Sequence, residues 1–190
     1  MDRQVRTMKT TVRSDAISSR PALQAAIVVG WALLTGLSAA IKFPLPFTPV
    51  PMTLQTGVVL LGAAWFGRLG VLAQVLYVLL GGLGLPFFAV QAPGLSPLWG
   101  ATGGYLVGFI FTAKLTERFV FAKSMTFAAR WLRLAAISLA YFVPGVWVLM
   151  LSSGVDFTRA VELGFLPFVL GDALKIAVVS MLSKFGTPRT

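Results

Sequence analysis

The chain has 190 residues, 57% of them hydrophobic and 12% charged, with a mean hydropathy of +0.85 and a net charge of +10. A soluble domain is roughly half apolar and about a quarter charged, so this composition specifies an integral membrane protein. The absence of Cys and His excludes a disulfide framework, thiolate or imidazole metal sites, and Ser/His or Cys/His catalytic pairs. No phosphate-binding glycine loop is present, so ATP hydrolysis by this chain alone is not expected. Isolated carboxylates and hydroxyls leave an intramembrane enzyme as the weakest functional class, with no catalytic residue, metal or cofactor to name.

Residues 1–20 are polar and basic, and the apolar run Pro21 to Ile41 follows. The run is too long for the core of a secretory signal, so it is read as an uncleaved first transmembrane helix with Pro21 in its first turn. Ala22, Ala26 and Gly30 form a small-residue stripe along it, either an internal packing surface or a face for a partner. Phe43 to Pro51 carries Pro44, Pro46, Pro49 and Pro51 and is expected to be extended. Its remaining residues are mostly apolar, as in a buried connector or a cover over a pocket.

A second span, Met52 to Phe66, is roughly 22 Å long at helical rise, short for a bilayer. The turn Gly67 to Gly70 returns the chain through Val71 to Leu85. Pro86 to Trp99 is a second aromatic loop, too long for a minimal turn and again a candidate cover. Ala101 to Ala122 is the fourth span, with Gly100, Gly104 and Gly108 at four-residue spacing for close approach of a neighbour. Leu132 to Ser152 is the fifth, interrupted by Pro144 and Gly145, where a kink is expected. A polar link from Ser153 to Glu162 precedes the sixth, Phe165 to Leu182, with Pro167 in its first turn.

This is an all-α, compact six-helix membrane bundle, with 21–185 as the membrane domain between a basic segment (1–20) and a tail (186–190). With both termini cytoplasmic, thirteen of the sixteen basic residues fall inside; Lys42 and Arg159 lie outside, and Lys175 is intramembrane. That bias obeys the positive-inside rule, and a multi-pass protein of the plasma (inner) membrane is expected. The positive charge is thereby a record of topology, and nucleic-acid binding is not expected.

The last span holds Asp172 and Lys175, three residues apart and hence on one helical face. Charges within a bilayer are costly unless they meet a partner or line a polar cavity, so the pair is either a structural ion pair or a functional site. Counting from Pro167, they lie about 8 and 12 Å into the helix. That places them in the outer half of the membrane, beneath the two apolar loops.

Four segments in order, PVPMTLQT (49–56), LLGGLGLPF (79–87), GATGGYLVG (100–108) and PFVLGDALK (167–175), resemble the BioY family, the biotin-binding S component of energy-coupling factor (ECF) vitamin transporters. With the six-helix layout, the resemblance covers nearly everything from the first helix to the last. It implies a six-helix protein that binds biotin from outside, energised by a separate coupling membrane protein with ATPase subunits. It carries substrate binding onto Asp172 and Lys175, onto Gln55 of the TLQ piece, and onto Thr102, Gly103 and Tyr105. Ala22 and Ala26, extended by Gly30, become a face toward the coupling protein. The chain departs from the family pattern at Ala101, where Pro is usual, and in loop 89–97, so contacts from Gln91 are not carried over.

Biotin presents a carboxylate, a ureido group with two N–H donors and a carbonyl, and an apolar ring and chain, which calls for an apolar pocket with a few placed polar groups. Asp172 can accept from the ureido N–H groups, while Lys175 can donate to the ureido carbonyl or pair with the carboxylate. Phe47, Phe88 and Trp99 are candidate aromatic walls, although interfacial aromatics need no ligand. The competing reading is a self-sufficient secondary transporter of biotin or another small vitamin, in which Asp172 carries a proton.

Overall fold

A computed structural model describes residues 20–90, 94–121 and 124–186. Most of the basic segment 1–20 and of the tail 186–190, with Gln91 and Lys123, lies outside the described residues.

The helices are α1 (Pro21–Ser38), α2 (Gln55–Phe66), α3 (Arg68–Gly82), α4 (Ser96–Trp99), α5 (Gly103–Phe119), α6 (Phe127–Ser153), α7 (Phe157–Gly164) and α8 (Val169–Leu182). Single 3-10 turns, Leu166–Phe168 and Ser183–Phe185, flank α8. The stretches Pro21–Ser38, Phe127–Ser153 and Phe157–Phe185 are long and apolar enough to cross a membrane. Exposure is inverted relative to a water-soluble protein. Along α8, Leu170, Leu174, Val178 and Met181 face outward, while Asp172 and Ser180 are buried with Ile176 and Val179. That is the arrangement expected of a helix whose outer face meets lipid.

Chain punctuation sets the boundaries. Pro21 opens α1 where its missing N–H costs nothing. The four-residue turn expected at Gly67–Gly70 contracts to Gly67 alone, whose φ of 55° reverses the chain between α2 and α3. The fifth span starts five residues earlier than its hydropathy implies, because the Thr126 hydroxyl accepts from the Ala129 N–H and caps α6. Pro144 lies inside α6, and the 27-residue helix runs through it.

Two expectations are corrected. The polar link Ser153–Glu162 holds a helix that the six-helix layout did not include: Asp156 accepts from the Arg159 N–H and starts α7, which brings the helices of eight or more residues among the described ones to seven. The second span loses Met52 and Thr53 to a two-residue antiparallel ribbon, β1 (Lys42–Phe43) with β2 (Met52–Thr53), in register Lys42↔Thr53 and Phe43↔Met52. The ribbon ties the base of the Pro-rich loop, whose prolines prevent further pairing.

The two small-residue stripes separate. Gly104 and Gly108 press α5 onto α6, so that a β-carbon at Gly104 would strike the Pro144 carbonyl and one at Gly108 the backbone of Tyr141. Ala22, Ala26 and Gly30 are exposed, and nothing lies within 4 Å of a β-carbon at Gly30. The α1 stripe is therefore not an internal packing surface among the described residues. Gly104→Ala is expected to destabilise the bundle by about 1–3 kcal/mol through overpacking, while Gly30→Ala stays within about 0.5 kcal/mol of wild type. Thermal unfolding in detergent distinguishes them, and equal melting temperatures would contradict the packing described.

Candidate functional site

Burying two charges in one membrane helix requires that their remaining bonds be satisfied, and three other elements supply the partners. The Asp172 carboxylate is ion-paired with Lys175 through Oδ1 and accepts from the Tyr141 hydroxyl of α6 at Oδ2. The Thr56 hydroxyl of α2 donates to Oδ1 at 3.2 Å. Lys175 Nζ donates in addition to Thr56 Oγ1 at 2.7 Å and to the Thr53 carbonyl at 3.0 Å. An ammonium has three N–H bonds, and these three acceptors use all of them. The cluster is thus neutral as a unit and held from β2, α2, α6 and α8. Trp131 braces it by donating its indole N–H to the Ala173 carbonyl at 3.3 Å.

Above the cluster lies a cavity of about 530 Å³, counted with its open mouth. Leu106, Phe109, Phe142 and Phe168 give it apolar walls, and Asp172, Lys175, Thr53, Gln55, Thr56, Thr102, Tyr105 and Tyr141 its polar lining. Val50 and Pro51 of the Pro-rich loop and Ala89 of the second loop complete it, so both proposed covers reach the cavity. Apolar walls with polar groups converging on one side are the chemistry of a small-molecule site.

The residues singled out in the sequence divide into three groups. Asp172 and Lys175 come together as described. Gln55, Thr102 and Tyr105 reach the cavity, but each is already engaged. Gln55 is 2% exposed; its amide donates to the Tyr77 hydroxyl at 2.6 Å and to the Thr35 carbonyl at 3.4 Å, and its Oε1 accepts from Thr53. The Tyr105 hydroxyl donates to the Gly164 carbonyl at 2.7 Å, which presents the ring to the cavity. Thr102 makes only a long 3.5 Å bond to the Pro97 carbonyl.

The third group does not line the cavity. Gly103 abuts the Leu98 backbone, and Phe88 packs edge-on to Tyr77 with centroids 5.8 Å apart. Phe47 and Trp99 are 57% and 80% exposed. Their aromatic character belongs to the surface of the protein, as interfacial aromatics do. Tyr141 and Thr56 were not singled out from the sequence. Thr56 adjoins Gln55 within PVPMTLQT, and Tyr141 carries a polar atom into an apolar helix, where it must find a partner.

The BioY family model matches residues 8–189. The chain belongs to the BioY family. It is 38% identical over 141 residues to the biotin transporter BioY of Thermotoga maritima, covering 73% of this chain and 82% of that one. It is 33% identical over 174 residues to the biotin transporter BioY of Rhizobium etli, covering 86% and 88%. A crystal structure of the S-component for biotin from an ECF-type ABC transporter shares the fold of this BioY-family chain, with a TM-score of 0.75 over 87% of this chain and 92% of that one at 19% identity. The protein is a multi-pass membrane protein and not an enzyme.

The bonds of Gln55 predict its effect on stability. Gln55→Leu leaves the Tyr77 hydroxyl and Thr53 each short of a buried partner and is expected to cost about 1–3 kcal/mol. Phe47→Ala and Trp99→Ala should each stay within about 0.5 kcal/mol. Melting curves of the ligand-free protein measure both, and a Gln55→Leu variant as stable as wild type would refute the tie.

Proposed function

We propose that this chain is the substrate-binding membrane subunit for biotin uptake, capturing biotin from the outer side in the cavity above Asp172 and Lys175. The observation that carries this is a neutral charge cluster at the base of a cavity walled by Leu106, Phe109, Phe142 and Phe168, in a chain whose relatives are named biotin transporters. Asp172 retains acceptor capacity beyond its bonds to Tyr141, Thr56 and Lys175, since a carboxylate offers about four lone-pair sites. Gln55, Thr102 and Tyr105 shape the polar part of the wall. Gly103 and Phe88 set the packing behind it, and Phe47 and Trp99 flank the outer surface.

The topology in this reading has six crossings, α1, α2, α3, α5, α6 and α8, with α4 and α7 as short helices that do not cross. Both termini are cytoplasmic, residues 21–185 form the membrane domain, and 1–20 and 186–190 lie on the cytoplasmic side. The distribution of basic residues supports it. Energy comes from ATPase subunits acting through an ECF coupling membrane protein, and the exposed stripe Ala22, Ala26 and Gly30 offers a close-packing face for that partner. Proton-coupled transport is disfavoured because Lys175, rather than a bound proton, compensates Asp172.

Calorimetry on the purified protein tests the reading. Wild type is expected to bind biotin, and Asp172→Asn and Lys175→Ala to bind it about tenfold more weakly or worse while the helical circular dichroism is retained. Absence of biotin binding by wild type would falsify the proposal, and unchanged affinity in both variants would make the pair purely structural. For the partner face, Ala22→Leu with Ala26→Leu should abolish co-purification with the coupling subunits and leave biotin affinity unaltered; retained co-purification counts against it.

A further inference from the structure

We infer that Lys42, in a second cavity adjoining the first, is the subsite that receives the ligand's carboxylate; this rests on the biotin reading above. The inner cluster offers a carboxylate no cation of its own. All three N–H bonds of Lys175 go to Asp172, Thr53 and Thr56, and its charge is matched by Asp172. A carboxylate brought there would meet Asp172 as a like charge and find no free ammonium donor, at a depth where unmatched charge is costly.

The second cavity, about 770 Å³ with its open mouth, shares Pro51 and Ala89 with the first. Among the described residues lining the two cavities, the cations are Lys175 and Lys42, and the only carboxylate is Asp172. Lys42 Nζ donates one bond, 2.9 Å to the Ala89 carbonyl, which leaves two N–H bonds, and it has no ion-pair partner among the described residues. Thr48 on the same wall is less suited, because its hydroxyl donates to the Leu163 carbonyl and accepts from the Val50 N–H.

The ribbon fixes the spacing. Lys42 pairs with Thr53, and the Thr53 carbonyl is itself an acceptor for Lys175. Paired strand residues have their Cα atoms about 4.5–5.5 Å apart, so one element links the polar floor of the inner cavity to the cation of the outer one. A ligand with a polar ring at one end and a carboxylate on an apolar chain at the other matches that sequence of environments: neutral polar floor, aromatic wall, single cation.

Titration calorimetry with biotin and with its methyl ester, on the full chain in detergent, tests this. Lys42→Met is expected to weaken biotin binding about tenfold, as for loss of one charge-assisted hydrogen bond, without changing ester affinity. Lys42→Arg should retain most of the affinity for biotin. Unchanged biotin affinity in Lys42→Met overturns the inference. Equal losses for biotin and ester also overturn it, since Lys42 would then act only as a tie between the two loops. If wild type binds neither compound, the uptake reading falls and this inference with it, whereas binding by wild type with an indifferent Lys42→Met removes the subsite alone.

Discussion

An Asp and a Lys three residues apart in a membrane helix can stay charged only if each finds its partners inside the protein, and that requirement organises the bundle. The i,i+3 spacing brings Asp172 and Lys175 together, but a pair alone leaves lone pairs and N–H bonds unsatisfied in a low-dielectric setting. Thr56, the Thr53 carbonyl and Tyr141 meet them from β2, α2 and α6. Each element is held in turn: α6 to α5 by the glycine contacts, and α2 to α1 and α3 by Gln55 and by the Trp31 indole, which donates to the Val58 carbonyl at 3.0 Å.

The stripes on α1 and α5 carry the same kind of sequence and meet different ends. On α5 the small residues allow α6 to approach until backbone touches backbone, which gains dispersion without cost from lost side-chain freedom. On α1 the corresponding surface is left bare by the rest of the chain. Small-residue spacing therefore encodes the capacity for close approach, and only the three-dimensional arrangement decides whether a helix of the same chain uses it.

That distinction marks what was legible in the sequence. Asp172 and Lys175 stood out because charge is rare in an apolar segment, and the loops around them could be located from their prolines and aromatics. Tyr141 was illegible because an aromatic in an apolar helix has the same composition whether its hydroxyl faces a headgroup or a carboxylate 31 residues away. The same ambiguity covers Phe47 and Trp99, which are exposed and lie outside the cavity lining. Helix α7 was hidden by averaging: an eight-residue amphipathic turn has the hydropathy of a polar link, and only the cap at Asp156 betrays it. The α2 boundary failed for a related reason, since Met52 and Thr53 continue the apolar run while pairing with β1 instead of the helix.

The shortness of α2 accounts for the cavity. Twelve helical residues rise only about 18 Å, much less than the 27-residue α6 beside which α2 supplies partners for Asp172 and Lys175. The ribbon and the Pro-rich loop precede it where a longer helix would have continued. Prolines suit the task because they lack the N–H that would need a partner, and Val50 and Pro51 present carbon to the cavity. A helix of normal length would have carried its backbone through this space and closed it. By starting late, α2 sets Gln55 and Thr56 in its first turn on the wall of the cavity. The pocket thus follows from a shortened helix, and the charge cluster is the floor that such a shortening makes reachable.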